Sequence, residues 1–285
     1  MKKVLITGCD GQLGRALNQL LADSPVELIN TDMDTLDICN LEQVFALARK
    51  ERPDTIINCA AYTAVDKCET EIAYAIRVNA LGPKTLAVAA KEIGAQLVQI
   101  STDYVFDGTT GKAYVETDAP HPLCMYGSTK LNGEKAVMET MEQYYIIRTA
   151  WLYGDGNNFV RTMLRRAKDH DTISVVNDQF GSPTSALELA RMILQIVDSK
   201  EYGIYHGTCE GVTSWYEFAK AIFSLAKIDV NLIPVSTEEY TAAVAKRPAY
   251  SVLENAKLNS QGSYRMKHWE DALKEYMENN AAIHS

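Results

Sequence analysis

Val4-Leu5-Ile6-Thr7-Gly8-Cys9-Asp10-Gly11-Gln12-Leu13-Gly14 is the stretch that decides the fold. An apolar run of strand type leads directly into a glycine-rich turn, and leucines at helical spacing follow. Gly8, Gly11 and Gly14 let the backbone turn sharply, approach a pyrophosphate closely and pack the new helix against the strand. The N–H groups at the start of such a helix bind phosphate oxygens. The stretch therefore predicts a dinucleotide-binding loop.

An acidic residue stands where the second strand of such a unit would end. Asp32 follows the apolar run Val26-Glu27-Leu28-Ile29. A carboxylate there accepts hydrogen bonds from the adenosine ribose hydroxyls and repels the 2′-phosphate that distinguishes NADP. We therefore expect NADH to be the favoured cofactor. NADPH stays open, because Arg15 beside the loop is able to offset the repulsion.

Composition and charge exclude several classes of protein. The chain has 285 residues, of which 47% are hydrophobic and 23% charged, as in ordinary globular proteins. Its formal net charge is −9 and its basic residues are scattered, so no nucleic-acid partner is expected. No apolar stretch approaches the roughly 18 residues of a membrane span, and no targeting signal precedes the first strand. We expect a cytoplasmic protein without a membrane partner.

Metal and disulfide sites have little support in the sequence. The six cysteines are widely spaced without a Cys-x-x-Cys pair, and the five histidines show no paired spacing. These patterns predict reduced thiols and no zinc site.

The first half of the chain alternates between strand-like and helix-like segments. This rhythm predicts repeated βαβ units, hence an α/β fold of the Rossmann type: a doubly wound parallel sheet with helices on both faces. The predicted strands are Val4–Thr7, Val26–Asn30, Thr55–Cys59, Leu97–Ser101 and Tyr145–Trp151, and the predicted helices are 12–23, 41–51, 71–93 and 126–142.

The rhythm becomes less regular beyond residue 155. Helices are predicted at 159–169, 186–198 and 214–227, with strand-like runs at 173–177, 202–207 and 232–235. We expect a dinucleotide-binding domain over 1–154 and a smaller C-terminal substrate-binding lobe over 155–285. Segments around 184–210 should return to the first domain.

A tyrosine and a lysine four residues apart form a candidate catalytic pair. Tyr126 and Lys130 share one face of a predicted helix, where an ammonium beside the phenol would lower the tyrosine pKa towards neutrality and suit it to general-acid catalysis. The pair follows the hydroxyls of Ser101 and Thr102, which end a predicted strand on the same side of the sheet. A second Tyr-x-x-x-Lys pair, at Tyr216, lies among apolar residues and is interpreted as structural.

These features together resemble the extended short-chain dehydrogenase/reductase superfamily and, within it, the dTDP-4-dehydrorhamnose reductase family. A late Arg247-Pro248 extends the match to most of the chain. The strings that carry the finer resemblance are Ala60-Ala61-Tyr62-Thr63-Ala64-Val65-Asp66, Ser101-Thr102-Asp103-Tyr104-Val105-Phe106, Arg148-Thr149-Ala150-Trp151-Leu152-Tyr153, Gly156-Asn157-Asn158-Phe159 and Asp178-Gln179-Phe180-Gly181-Ser182-Pro183-Thr184.

The resemblance implies reduction of the C4 keto group of dTDP-4-dehydro-L-rhamnose with a nicotinamide cofactor. It implies that Tyr126 delivers the proton, that Lys130 holds the nicotinamide ribose and that Thr102 positions the sugar oxygen. Cofactor contacts would come from Gly8, Gly11, Gln12, Leu13, Gly14, Asp32, Asp37, Ile38, Ala60, Ala61, Tyr62, Tyr126 and Lys130. Substrate contacts would come from Val65, Thr102, Asp103, Tyr104, Trp151 and Arg247. Trp151 has an alternative interpretation as a core residue, and Arg247 as a surface arginine.

The chain departs from the family pattern at two positions. Some members carry glutamates that hold magnesium at a dimer interface, and Ala16 and Leu187 stand at the matching positions here. The carboxylates that a hard cation prefers are absent from these positions, so we predict no metal. A homodimer is compatible with the resemblance, without that magnesium contact.

Two alternatives remain open from sequence. The chain would then be a dinucleotide-binding regulatory homologue without catalysis, or another sugar-nucleotide reductase or epimerase of the same fold. Intact Thr102, Tyr126 and Lys130 argue against the regulatory reading.

Overall fold

The computed structural model describes residues 1–240 and 244–280. Twelve strands occur in this part of the chain. In chain order they are β1 (Lys3–Thr7), β2 (Glu27–Thr31), β3 (Thr55–Asn58), β4 (Gln96–Thr102), β5 (Tyr144–Thr149), β6 (Leu152–Tyr153), β7 (Thr172–Val176), β8 (Phe180–Gly181), β9 (Thr184–Ser185), β10 (Gly203–His206), β11 (Thr213–Ser214) and β12 (Asn231–Val235).

Eleven α-helices occur in the same described residues, with a π-helical segment at Arg77–Leu81 and a 3-10 turn at Asp103–Val105. They are α1 (Gln12–Leu21), α2 (Leu41–Glu51), α3 (Val65–Cys68), α4 (Ile72–Ile76), α5 (Gly82–Ile93), α6 (Met125–Thr140), α7 (Phe159–Asp169), α8 (Ala186–Ile196), α9 (Trp215–Ala226), α10 (Ala256–Gln261) and α11 (Trp269–Asn279). None of these helices has the length and apolar character needed to cross a membrane.

Six strands form one fully parallel sheet in the order β10-β5-β4-β3-β1-β2. The direction in which successive strands are added reverses at β1, which pairs with both β2 and β3. Ligands of such sheets bind outside the carboxyl ends of the strands at this switch point. The predicted Rossmann-type parallel sheet is confirmed.

Alternate residues of the strands supply two separate cores. Val4 and Ile6 of β1 pack with α1 and α8 on one face, whereas Leu5 packs with α2, α5 and α6 on the other. This follows from the two-residue repeat of a strand, and it explains why the buried strands are apolar throughout.

A third core lies in the second half of the chain. It is built by α7, α9 and α11 against β7, with Phe218 and Leu273 fully buried. The parallel pair β7 and β12 borders this core. Between β9 and β11 the chain returns from this third core to the main sheet. There α8 packs on one face of the sheet, and β10 forms its edge beside β5.

The predicted long helix over 71–93 is interrupted in the structure. The π-helical segment separates α4 from α5. Pro83 lies in the first turn of α5 and has no N–H to donate to the carbonyl of Asn79, four residues earlier. Asn79 lies within the π-helical segment and is 1% exposed.

Helices α3, α10 and α11 are absent from the sequence prediction. Helix α11 had a usable signal, because Trp269, Ala272, Leu273, Tyr276 and Met277 are buried at helical spacing. Helices α3 and α10 are only one to two turns long, too short to show such a period.

Candidate active site

Three clefts adjoin one another, of which the first two lie at the carboxyl ends of the main strands and the third lies in the second half of the chain. The first measures about 680 Å³ and adjoins the second, of about 580 Å³, through Gly11, Cys59 and Ala61. The second adjoins the third, of about 520 Å³, through Trp215. The row leads from the glycine loop, past the candidate catalytic residues, to the C-terminal lobe.

Most of the predicted site residues line the first two clefts. The first contains Gly8, Gly11, Asp32, Asp37, Ile38, Ala60, Ala61 and Tyr62. The second contains Gly11, Gln12, Leu13, Ala61, Val65, Thr102, Asp103, Tyr104, Tyr126, Lys130 and Trp151. Arg247 lines the third cleft, and Gly14 lies beneath the loop.

The glycine loop is shaped by close backbone contacts. Gly8 has a φ of +67°, and a Cβ there would lie 2.7 Å from the Ala60 nitrogen. A Cβ on Gly14 would lie 2.4 Å from the Gly8 oxygen. Gly11 precedes α1 and offers no side chain to cap it, so the first N–H groups of this helix are left for a ligand. The loop and cleft fit a dinucleotide pyrophosphate.

Asp32 sits immediately after β2 at the rim of the first cleft. Its Oδ2 accepts a hydrogen bond from the Asp10 N–H at 3.0 Å, which joins it to the glycine loop. Arg15 is turned away in an ion pair with Asp155 at 3.0 Å. Arg15, the residue that kept NADPH open in the sequence analysis, therefore has Asp155 as its partner.

The far wall of the first cleft joins several charged and aromatic groups. Arg77 of the π-helical segment forms an ion pair with Asp37. The Tyr62 hydroxyl donates to Glu71 at 2.5 Å, and this hydrogen bond raises the Tyr62 pKa to about 12. The Tyr74 ring meets Tyr62 edge-on at 4.9 Å between centroids.

Thr102, Tyr126 and Lys130 are brought into the second cleft from two elements. Thr102 ends β4, whereas Tyr126 and Lys130 lie on one face of α6. All three side chains are largely buried. The Thr102 hydroxyl donates to Asp103 Oδ1 at 3.0 Å and accepts from the Tyr104 N–H at 3.2 Å.

The expected lowering of the Tyr126 pKa is wrong for this structure. Burial raises the pKa of Tyr126 above its usual value, and the nearby Asp103 carboxylate adds to the rise, while a hydrogen bond with Thr102 opposes it. Tyr126 and Lys130 do share one face of α6, but removing a phenolate from water is costly, so burial is the first cause of the shift. The buried phenol keeps its proton at neutral pH.

Lys130 also titrates unusually. Burial lowers its pKa to about 8, although the Glu134 carboxylate opposes this shift. Its Nζ donates to the Ile100 carbonyl at 2.6 Å, in the strand that carries Thr102. The ammonium is thus held beneath the cleft by a backbone oxygen.

Asp103 brings a second titratable group to the cleft. Its carboxyl is 2% exposed, and burial raises its pKa to about 6, against the opposing hydrogen bond from Thr102. Oδ2 has no partner among the described residues. This oxygen is therefore free to accept a hydrogen bond from a water or a ligand in the cleft.

Trp151 is held by packing in an unusual backbone conformation. Its φ is +49°, in the left-handed region that side chains with a Cβ rarely adopt. Its ring stacks on Trp215 at 3.5 Å between centroids, and a Cβ on Gly181 would lie 2.5 Å from it. Strain of this kind concentrates at functional sites, and the ring forms a wall of the second cleft.

The third cleft has a basic side. Arg166, Lys246 and Arg247 line it together with apolar residues. Arg247 Nη2 donates to Asp66 at 3.3 Å, and its Nε is buried without a partner among the described residues. Asp66 also accepts from the Val244 N–H at 3.0 Å. Arg247 is therefore a cleft residue rather than an isolated surface arginine.

Asp178 and Gln179 secure the loop beside the third cleft. Asp178 accepts from the Thr237 hydroxyl at 2.6 Å, and Gln179 donates to the same hydroxyl at 3.0 Å. Gln179 also lines the cleft.

Two buried polar residues near the site were missed from sequence. Asn79 accepts from the Tyr62 N–H at 2.8 Å and donates to Thr129 of α6 at 3.2 Å, which joins the wall of the first cleft to α6. Glu134 lies one turn after Lys130 and is fully buried. Its signal was present, because it continues the spacing of four from Tyr126 through Lys130.

The positions that carry metal ligands in some family members lie elsewhere. Ala16 and Leu187 line a separate surface cavity of about 490 Å³ beside α11. In the described residues, the acidic or thiol groups close enough to share an ion are Cys9, Asp10 and Asp32. The absence of a metal stays a prediction.

The chain is similar over nearly its whole length to a known family of proteins. Residues 1–282 match the family model described as RmlD substrate binding domain. The chain is 42% identical to a dTDP-4-dehydrorhamnose reductase of Aggregatibacter actinomycetemcomitans, over 96% of this chain and 98% of the relative.

Solved structures extend the similarity to three dimensions. A dTDP-4-dehydrorhamnose reductase of Clostridium acetobutylicum superposes with a TM-score of 0.96 at 50% identity, covering 97% of this chain and 99% of that one. The Bacillus anthracis reductase, solved in complex with NADP, gives 0.96 at 45% identity over 98% and 100%. This similarity covers almost the full length of the chain and includes both the glycine loop and the second cleft. The chain therefore belongs to the RmlD family, which includes the dTDP-4-dehydrorhamnose reductases that it matches.

Proposed function

We propose that this protein reduces the C4 keto group of dTDP-4-dehydro-L-rhamnose to give dTDP-L-rhamnose, in deoxysugar biosynthesis. One observation carries the proposal: Thr102, Tyr126 and Lys130 share a buried cleft that adjoins the glycine-loop cleft on one side and the basic third cleft on the other. A nicotinamide dinucleotide and a sugar nucleotide would meet in the middle cleft.

The chemistry follows from the states of these side chains. The bound nicotinamide cofactor supplies the hydride. Tyr126 holds a proton on its phenolic oxygen at neutral pH and delivers it to the carbonyl oxygen as charge develops there. Lys130 would hold the cofactor ribose with its ammonium and stabilise the tyrosinate that forms. Thr102 donates a hydrogen bond that positions the reacting oxygen.

The remaining contacts divide between the clefts. Gly8, Gly11, Gly14 and the residues that line the first cleft would hold the dinucleotide, with Gln12 and Leu13 at its pyrophosphate. Val65, Asp103, Tyr104 and Trp151 would surround the sugar. Arg247 would bind the diphosphate, since its guanidinium matches phosphate oxygens and its Nε lacks a partner among the described residues.

The two parts of the chain would share the work. Residues 1–154 would bind the dinucleotide, and residues 155–285 would chiefly bind the sugar nucleotide, with 184–210 returning to the first domain. We further propose a cytoplasmic location, where reduced thiols are maintained, and a homodimer without a magnesium contact.

We propose a preference for NADH over NADPH, supported by the Asp32 carboxylate and by the pairing of Arg15 with Asp155. In the variant Asp32→Ala the ratio of kcat/KM for NADH to that for NADPH should fall by about tenfold, because the repulsion of the 2′-phosphate is removed. Asp34→Ala, two residues along the same exposed turn, is the control. An unchanged ratio in Asp32→Ala would show that the carboxylate does not set the preference.

The proposed activity is tested by NADH oxidation, followed at 340 nm, with dTDP-4-dehydro-L-rhamnose generated in situ. Product stereochemistry is read by NMR. Stoichiometric oxidation with formation of dTDP-L-rhamnose supports the proposal. An epimerase would return its hydride and consume no NADH, a regulatory homologue would bind NADH without oxidising it, and another reductase would give the 4-epimeric sugar.

A further inference from the structure

A buried ion pair lies directly below the candidate catalytic residues. Glu134 and Arg148 have side chains that are 0% and 3% exposed. Arg148 Nη2 donates to Glu134 Oε2 at 2.7 Å, and Nε donates to Oε1 at 3.0 Å. A two-pronged contact of this kind fixes orientation as well as charge.

The same carboxylate joins three elements that carry the site. Glu134 lies on α6 with Tyr126 and Lys130, and it accepts a hydrogen bond from the Ser101 hydroxyl on β4. Ser101 precedes Thr102 and pairs in register with Arg148 on β5. Glu134 therefore determines how the helix bearing the tyrosine and lysine sits against the strand bearing the threonine.

Glu134 itself lines none of the three clefts. Its carboxylate oxygens are taken up by Ser101 and Arg148, so it has no free lone pair aimed at a ligand. Any effect on the reaction must pass through Tyr126, Lys130 or Thr102.

The charges around Lys130 come from few groups. Burial raises the pKa values of Tyr126 on its own helix and of Cys59 after β3, so both are neutral near pH 7. His206 on β10 is kept neutral by burial and by the charge of Arg148, which lower its pKa to about 3. Asp103, whose pKa is raised to about 6, acts through its charge on Tyr126. Glu134 is the carboxylate that favours the charged form of Lys130.

We propose that Glu134 is a positioning residue of this enzyme: its carboxylate holds α6 in register with β4 and β5 and supplies the counter-charge of the buried Lys130 ammonium. Burying an ion pair is expensive, and well-packed apolar side chains of similar volume often stabilise a fold equally well. The second role accounts for a charged pair at this place.

The test compares two variants that break the same ion pair from opposite sides. Glu134→Gln removes a negative charge near Lys130, whereas Arg148→Gln removes a positive one. The first should move the alkaline limb of kcat/KM about one pH unit lower, since Lys130 loses its proton more readily. The second should leave the limb in place or move it higher. NADH affinity measured by fluorescence across the same pH range should follow the same pattern.

If the ion pair had a purely structural role, the two variants would behave alike. An alkaline limb of kcat/KM that lies at the same pH in Glu134→Gln and Arg148→Gln would therefore overturn the proposal. If Glu134→Gln does not fold, Glu134→Asp replaces it: the charge is kept at a shorter reach, so kcat should fall about tenfold or more with the limb unmoved. Wild-type kcat in Glu134→Asp would also overturn the proposal.

The kinetic readout rests on the proposed reductase function, and the binding readout does not. A wild-type protein that never oxidises NADH would contradict the proposed function while the pH profile of NADH binding still decides the role of Glu134.

Discussion

The residues of the second cleft show how burial determines protonation. Tyr126 and Asp103 both have raised pKa values, and Lys130 has a lowered one, with burial as the first cause in each case. In each of the three groups, burial favours the neutral form. Tyr126 therefore stays protonated at neutral pH and can donate its proton, whereas Lys130 titrates near the pH at which the enzyme would work.

Replacing the phenol tests its part in catalysis. Tyr126→Phe should reduce kcat by about 10²-fold or more, because the proton donor is lost, and should leave the Kd for NADH within about threefold. Stopped-flow reduction and fluorescence titration measure the two quantities. Tyr216→Phe, in the second Tyr-x-x-x-Lys pair on α9 and outside all three clefts, is the matched control. Near-normal turnover of Tyr126→Phe would remove this residue from the mechanism.

Asp103 gives a prediction about stability and pH. Its pKa is raised from 3.8 to about 6, so the native state holds this proton more tightly than the unfolded chain does. Stability from this group is full below about pH 4 and falls by about 2 to 3 kcal/mol as pH rises past 6. Asp103→Asn should therefore gain in Tm relative to wild type between pH 4 and 7.

The control for this prediction should show a nearly constant difference. The Tyr114 hydroxyl lowers the pKa of Asp107 below its usual value, so the stability from this group is almost fully present above about pH 4 and is lost only at lower pH. Asp107→Asn should therefore differ from wild type by a nearly constant Tm between pH 4 and 7. Parallel pH profiles for wild type and Asp103→Asn would contradict the assigned shift of Asp103.

At the scale of elements, close backbone contacts set the geometry of the first cleft. Helix α1 reaches the loop because Gly14 lets it approach Gly8 and Cys9. The π-helical segment fixes the backbone on the opposite wall of the first cleft. Its Asn79 side chain accepts from the Tyr62 N–H and donates to the Tyr62 carbonyl, after β3. Helix α1 and the π-helical segment thus both fix the position of backbone that lines the first cleft.

Gly14→Ala tests the first of these contacts. The added methyl would lie 2.4 Å from the Gly8 oxygen, so the helix or the loop must shift. We expect a loss of about 2 kcal/mol in the free energy of unfolding and weaker NADH binding. Gly11→Ala is the graded control, because its Cβ meets nothing closer than 3.2 Å and should cost less stability. Equal denaturation midpoints for the two variants would show that the contact relaxes freely.

At the scale of the whole molecule, the third cleft joins distant parts of the chain. Asp66 of α3 accepts hydrogen bonds from Val244 and Ala245 and forms an ion pair with Arg247. The cleft is lined on its other side by α7 and β7. A local basic surface thus forms in a chain whose formal net charge is −9.

Arg247→Gln should raise the KM for the sugar nucleotide by about tenfold, because a bidentate contact to the diphosphate is lost, with little change in the Kd for NADH. Lys220→Gln removes a positive charge from α9, where Lys220 pairs with Glu217, and should change neither constant. Steady-state kinetics with both substrates measures the effect. An unchanged KM in Arg247→Gln would place the diphosphate elsewhere.

Local patterns in the sequence determined the βαβ order, the glycine loop and the shared face of Tyr126 and Lys130, because each depends on residues close together in the chain. The tertiary structure alone decided the sign of the Tyr126 shift, the pairing of Arg247 with Asp66 and the burial of Glu134 against Arg148. The tertiary structure also decided the π-helical break before Pro83, because Asn79 in this segment donates a hydrogen bond to Thr129 of the distant helix α6. Desolvation and ion pairing depend on neighbours that lie far apart in sequence, so no local spacing contains them.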